Sequence, residues 1–245
     1  MSNNPFANLS NDGLEEAKDT LGGFSSLDSD VYEGVIKIAF AGQSAKGAHS
    51  VTFHVDLNGR EYRETLYVTN RDGQNWYHPK VKGVPDTSKK NPLPGFTTAN
   101  DIALLASGFG LADLAVEERV IKLWDKDANA EVNTKVNAFV DLSGKPIKLA
   151  ILKQIVDKNV DDGQGNYVPS GETREENVID KAFHAETGRT VTEVKSGQVQ
   201  TGEFIQKWLD KNKGEVRDRS TKDANGAKTG RPGAQGGTAP KSMFG

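Results

Sequence analysis

From Val31 to Asn70 the chain alternates apolar and polar residues with period two, the mark of half-buried strands. VYEGVIKIAFA sets Tyr32, Ile36, Ile38 and Phe40 on one face, with Glu33, Val35 and Lys37 on the other. HSVTFHVDL sets Val51, Phe53, Val55 and Leu57 against Thr52, His54 and Asp56. Asn58-Gly59 follows, a strong hairpin signal. REYRETLYVTN then sets Tyr62, Leu66 and Val68 against Arg63, Thr65 and Tyr67. Three antiparallel strands with one buried face are expected.

A long polar loop, residues 70–95, comes next; loops of this length inside a compact domain are uncommon and usually functional or mobile. The spacing of Ile102, Leu105 and Phe109 predicts a helix starting near Thr97 or Thr98, with Asp101 in its first turn and Gly108 and Gly110 at its end. ERVIKLWD (118–125) reads as a strand. TKVNAFVDL and KPIKLAILKQIVD read as two more, joined around Ser143-Gly144. A three-stranded meander, a helix and a closing pair is the element order of an OB-fold, a five-stranded, partly open Greek-key barrel. The extra strand at 118–125 would extend its rim.

After Asp157 the sequence turns polar and acidic. Val178–Phe183 is a short apolar patch. Thr201–Lys213 predicts a helix capped by Thr201 and stopped by Gly214, whose stripe of Phe204, Ile205, Trp208 and Leu209 should dock on the barrel. The expected fold class is mainly β: an OB-fold-like barrel of five or six strands with an inserted helix, a C-terminal helix and disordered termini. The chain divides into a flexible N-terminal arm (1–28), the barrel domain (29–157), an extension packed on it (158–213) and a disordered basic, Gly-rich tail (214–245).

Charge adds an asymmetry. The net charge of the 245 residues is -3, but residues 211–245 carry eight cationic and three acidic side chains, +5, which leaves -8 on residues 1–210. An acidic body with a basic tail is a pattern of charge that often meets anions. There is no cysteine, so disulfides and thiolate chemistry are excluded. The N-terminal MSNNPFANLSNDGLEEAKD has neither the basic nor the apolar region of a signal peptide. No apolar run approaches the roughly 18 residues of a membrane span. No secretion or membrane association is therefore expected.

Nothing catalytic stands out. His49, His54, His78 and His184 are scattered and fall in no metal-binding spacing, and no phosphate loop or nucleophile elbow is present. The carboxylate runs Asp161-Asp162 and Glu175-Glu176 read as solvated loop charge. No enzyme activity, cofactor or metal is expected. A binding surface is better supported. Lys37, Arg63 and Tyr67 occupy solvent-side strand positions, Arg60 sits at the hairpin and Lys46 in the first loop. The long loop combines Arg71, Trp76, Tyr77, His78, Lys80, Lys82, Lys89 and Lys90. Aromatic rings interleaved with cations suit unpaired nucleic acid, whose bases stack and whose phosphates need positive charge. Trp124 and Trp208 lie on periodic apolar faces and are expected in the core.

EAKDTLGG, the run from DVYEGVIKIAF to ETLYVTN, LPGFTTANDI, KLAILKQIVDKN and GETREENVIDKAFHAETG together resemble the single-stranded DNA-binding proteins of tailed bacteriophages. The resemblance runs from about residue 14 to 212 and includes the closing Lys-Ser-Met-Phe-Gly. It implies an OB-fold protein in the host cell cytoplasm that coats DNA strands exposed in phage replication and recombination, without sequence preference. Many single-stranded DNA-binding proteins end in an acidic tail tipped by an aromatic residue; here the tail is basic. Lys241, Met243 and Phe244 are expected to form an apolar plug for a protein partner, a phage replication or recombination protein or host RNA polymerase. The alternative reading is an adaptor in transcription or replication that acts mainly through this tail.

Overall fold

The computed structural model describes residues 26–221, apart from 126, 162, 164–166 and 198–199. In chain order the elements are strands β1 (Asp30–Gln43), β2 (His49–Leu57), β3 (Arg60–Tyr67), β4 (Trp76–Tyr77), β5 (Lys80–Val81), β6 (Val84–Pro85) and β7 (Asn91–Pro92), helix α1 (Pro94–Ser107), strands β8 (Val116–Asp125), β9 (Ala130–Phe139), β10 (Pro146–Asp161) and β11 (Tyr167–Phe183), helices α2 (Val191–Ser196) and α3 (Phe204–Asn212), and strand β12 (Val216–Asp218). The main sheet has eight strands along the path β11-β10-β1-β2-β3. β9 joins β1 and β8 joins β9, while β12 pairs with β10 in parallel. The described residues are thus mainly β and mostly antiparallel, as expected. None of their helices is long and apolar enough to cross a membrane.

β1 holds the sheet together because it is paired along both edges. β10 takes Asp30–Val35, β2 takes Val35–Gln43, and β9 takes Phe40 and Ala41. The ladder with β2 shifts register between Ile36 and Ile38. This bulge corrects the strict alternation expected from the sequence, since an extra residue moves every later side chain to the other face. Ile36 stays in the main core and Ala39 joins it, with Phe53, Val55, Tyr62 and Leu66. Ile38 and Phe40 turn outward and form a second core with Val136, Ala138, Ile121 and Leu123 of the β8–β9 hairpin.

Other elements depart from expectation for local reasons. α1 begins at Pro94, where a proline without an N–H suits the first turn, and not at Thr97 or Thr98. Gly108, left-handed at φ 83°, ends it, so Phe109 leaves the helical stripe and is exposed. The strands 130–139 and 146–161 do not pair with each other; β9 turns back on β8, and the partner of β10 is β11. The β10–β11 hairpin carries on through the expected boundary at 157/158. Its distal part is exposed and mostly polar, with Val160, Tyr167 and Val168 themselves exposed, which leaves no buried stripe to read. Trp124, expected in the core, is 58% exposed on the solvent side of β8.

The α3 stripe docks through Ile205, Trp208 and Leu209, whereas Phe204, expected in it, is exposed, and the helix starts at Phe204 after Glu203 with no cap from Thr201. Trp208 is buried with Ala150, Leu152 and Phe183, and its indole N–H donates to Asp180 Oδ2 at 2.7 Å. Residues 214–221, expected in the disordered tail, are held instead. Ser29 Oγ donates to Glu215 O at 2.5 Å and accepts from Lys153 N–H at 2.8 Å, which clamps β12 alongside β10. At the other end, Leu27 is buried and both its backbone groups bond to the Asn177 side chain. The rest of the expected arm and tail lies outside the described residues.

Among the described residues no strand ladder joins β3 to β11. One side chain spans that seam. Glu64 Oε2, on β3, accepts from the Ile179 N–H of β11 at 2.7 Å and from the Tyr62 hydroxyl at 2.6 Å. Burial raises the Glu64 carboxyl above the ordinary glutamate value of 4.5, against the two hydrogen bonds, which favour its ionised form. The folded state therefore holds a proton here more tightly than the unfolded chain. The stabilisation linked to that proton is complete below about pH 4.5 and is lost as pH rises through the raised value. Glu64→Gln removes this titration. In urea unfolding at a series of pH values, the wild type is expected to lose stability relative to the variant on going from acid to neutral pH. A constant difference would show that Glu64 does not titrate in that window.

Candidate nucleic-acid interface

The outward face of the β1–β2–β3 meander is ordered in rows by its register. Gly42, Ser50 and Tyr67 form one row, Phe40, Thr52 and Thr65 the next, then Ile38, His54 and Arg63, and last Val35, Asp56 and Glu61. The β8–β9 hairpin packs on the Ile38 and Phe40 part of this face. Beyond it, β2 and β3 keep an open strip with Tyr67, 53% exposed, at one end.

The strip is less cationic than the sequence suggests. Lys37 Nζ lies 3.3 Å from Asp56 Oδ2, and Arg63 Nε donates to Glu61 Oε1 at 2.8 Å. These exposed pairs add little to stability but cancel each other's charge. Asp56 is held below the ordinary carboxylate value by the Gly59 N–H and by Lys37, and Glu61 by its bond to Arg63. Arg60 is a correction. It shares the phase of Tyr62 and Glu64, and its charge acts on Tyr32, so it lies off this face. Lys37 stands with Asp56, at the far end from Tyr67.

His54 sits in the middle of the strip and is buried. Its ring meets Phe40 edge-on at 5.5 Å. Burial, then the Arg63 charge, lowers its pKa below the ordinary 6.5, with Glu61 opposing. At neutral pH it is an uncharged packing residue, which fills the row between two cores.

The cations and rings gather at the Tyr67 end. The 44–48 turn closes through Ser44 N–H to Ala48 O and Gly47 N–H to Ser44 O, and it carries Lys46. Gly47 faces the Arg71 carbonyl closely. The 70–95 segment is not irregular. Asn70 and Gln74 close its base, β4 pairs with β7, and β5 pairs with β6 beyond them. It returns onto the sheet where Leu93 N–H donates to Asn75 O. Helix α1 starts on Tyr67 itself: a Cβ on Gly95 would collide with the Tyr67 carbonyl oxygen, so only glycine permits this approach.

Within the segment Trp76 is partly exposed and organised by its neighbours. The Lys90 ammonium lies 4.1 Å over its ring, and His78 meets it edge-on at 4.9 Å. His78 Nδ1 is 2.7 Å from the Lys89 carbonyl oxygen. Tyr77, next along β4, is exposed. Lys80 and Lys82 belong to the outer β5–β6 piece, and Lys89 is paired with Asp86 at 3.6 Å. Between residues 70 and 95 five cationic side chains face two carboxylates, a net of +3 on a body that is otherwise acidic.

The structure therefore brings Lys46, Tyr67, Arg71, Trp76, Tyr77 and Lys90 to one end of the sheet, with Lys80, Lys82 and Lys89 on the same excursion. It leaves Lys37, Arg60 and Arg63 apart from them. Lys241, Met243 and Phe244 lie outside the described residues. Sequence reading missed the cation–π pairing of Lys90 with Trp76, though their separation across a Pro-containing excursion was its only trace. No group of three or more His, Asp or Glu side chains is placed to hold a metal ion among the described residues. No family model matches the chain, and no curated protein matches it.

Because His54 is lowered, its stabilising contribution is complete above about pH 6.5 and is lost as pH falls through the lowered value. Thermal unfolding of wild type and His54→Gln between neutral pH and about pH 5 checks this. The wild type is expected to lose more stability on acidification than the variant.

Proposed function

We propose that the chain is an OB-like barrel that binds single-stranded DNA without sequence preference, at the Tyr67 end of its meander. The path β1-β2-β3 on one side of β1 and β10-β11 on the other supports this reading, with β10 and β11 as the proposed closing pair. β3 and β11 run parallel across the remaining seam, which Glu64 bridges. In such barrels the ligand crosses strands 2 and 3 between the flanking loops.

The single observation that carries the functional reading is the grouping of Trp76, Tyr77 and Tyr67 with Lys46, Arg71 and Lys90. The rings offer flat faces to unstacked bases, and the cations offer partners to phosphates. Lys90 over Trp76 orients the indole before any base arrives, so less freedom is lost on stacking. Any base will stack, which accounts for the absence of sequence preference. The neutral ion pairs on the strip set spacing without adding net charge. The resemblance to phage single-stranded DNA-binding proteins agrees with this reading, and replication and recombination are the proposed setting.

The test is a titration of labelled oligo-dT and its duplex counterpart with the full chain, with a truncation after Thr221, and with Trp76→Ala. Truncation after Thr221 keeps β12 and its bond from Thr221 to Asp157. The full chain and the truncation are expected to prefer the single strand. Affinity should fall about 100-fold between 50 and 200 mM salt if roughly five phosphates are neutralised. Trp76→Ala should weaken binding by about 1–3 kcal/mol, the worth of one stacked base. Unchanged affinity in both Trp76→Ala and Trp76→Ala/Tyr77→Ala would overturn the proposed site. Binding lost only on truncation would move the DNA contact to the tail.

A further inference from the structure

The outward face of the β8–β9 hairpin has no part in the proposed DNA site. β8 pairs only with β9 among the described residues, so its other edge presents unpaired backbone N–H and C=O groups. Natural edge strands are usually protected by being short, by proline, by a bulge or by inward-pointing charge. β8 is ten residues long, VEERVIKLWD, has no proline or glycine and shows no register shift against β9, and its inward-side charges Glu117 and Arg119 are paired with each other at 2.8 Å. Its outward side chains are Val116, Glu118, Val120, Lys122 and Trp124, and the three apolar ones are 52, 60 and 58% exposed.

These five residues read the same way backwards in chemistry: apolar, charged, apolar, opposite charge, apolar. Two copies of β8 related by a two-fold axis perpendicular to the sheet pair antiparallel, and each face stays on its own side. With the axis at Val120, Glu118 of each copy faces Lys122 of the other, Val116 faces Trp124, and Val120 faces Val120. On the inward side Arg119 faces Ile121. The neighbouring registers fail. An axis at Arg119 sets Arg119 against Arg119 and Val120 against Glu118. An axis at Ile121 sets Glu117 against Asp125 and Glu118 against Trp124.

We propose that β8 is a self-association edge, through which a second copy of this chain continues the hairpin into a four-stranded β9-β8-β8-β9 sheet centred on Val120. The pairing satisfies the free backbone groups of β8, sets the Val116, Val120 and Trp124 stripes of the two copies side by side in cross-strand contact and places two Glu118–Lys122 pairs across the axis. Being isologous, it closes at two copies and does not propagate. It is independent of the nucleic-acid reading.

Sedimentation velocity on the full chain without DNA, from low to high micromolar concentration, tests it. The wild type is expected to shift from monomer towards dimer. Val120→Lys sets two ammonium groups together on the axis and should abolish the shift. Glu118→Lys and Lys122→Glu each set like charges opposite one another twice per dimer, and each should weaken association by about tenfold. An equimolar mixture of these two variants restores both opposite-charge pairs and should dimerise like the wild type. Glu118 also accepts from Lys135 within its own hairpin at 2.8 Å, so Glu118→Lys alone disturbs more than the interface. Recovery in the mixture cannot come from that disturbance. A wild type that stays monomeric throughout, or variants whose mixture associates no better than either alone, would overturn the proposal.

Discussion

The bulge at Lys37 in β1 is the constraint on which the rest of the molecule depends. A strand with strict alternation would bury Ile36, Ile38 and Phe40 on one side and leave the other to solvent. The extra residue lets one strand feed two cores: Ile36 and Ala39 go inward, and Ile38 and Phe40 go outward beneath the β8–β9 hairpin. Since β1 is also, among the described residues, the only strand shared by the meander, by β9 and by β10, the same residue decides where the hairpin stands. The open strip of β2 and β3 is what that hairpin leaves uncovered.

Charge is distributed around this frame in two different ways. On the strip, cations sit beside carboxylates, Lys37 with Asp56 across strands and Arg63 with Glu61 along β3, and the pairs cancel. On the 70–95 excursion, cations sit beside aromatic rings in two short ladders with few carboxylates near them. An acidic body can carry a locally positive end, because an anion responds to the nearby distribution more than to the net charge. The arrangement suits the proposed single-strand site: a rail of β-structure, a ring held under Lys90 and exposed ammonium groups beside it.

Long-range clamps made by single polar side chains complete the molecule, as Asn177 does for Leu27. Glu64 spans the seam between β3 and β11, and Ser29 joins β10 to β12. Each accepts from a backbone N–H of a distant strand, Ile179 for Glu64 and Lys153 for Ser29, and a buried N–H needs such a partner. Glu64 also makes the seam sensitive to protonation, since burial and hydrogen bonding act on its carboxyl in opposite directions.

Local pattern by itself determined the meander, the α3 stripe with Trp208 at its centre and the cations and rings of the long loop. These follow from period-two alternation, from helical spacing and from composition, all of which act between near neighbours. The tertiary structure alone decided the rest. The bulge changes the face of Phe40 without changing its sequence context. β11 is exposed and, beyond Tyr167-Val168-Pro169, polar through its distal half, so no apolar stripe betrays it until β10 lies beside it. Lys37 reads as a free cation until the neighbouring strand brings Asp56 against it, and Arg63 until the extended β3 backbone sets it on the same face as Glu61, two residues earlier. Trp124 lies on an apolar face in sequence, but that face looks outward because Ile121 and Leu123, one step out of phase, take the side towards β1. A strand's own alternation says that its two faces differ. Which of them meets a core is settled by the partner that covers it.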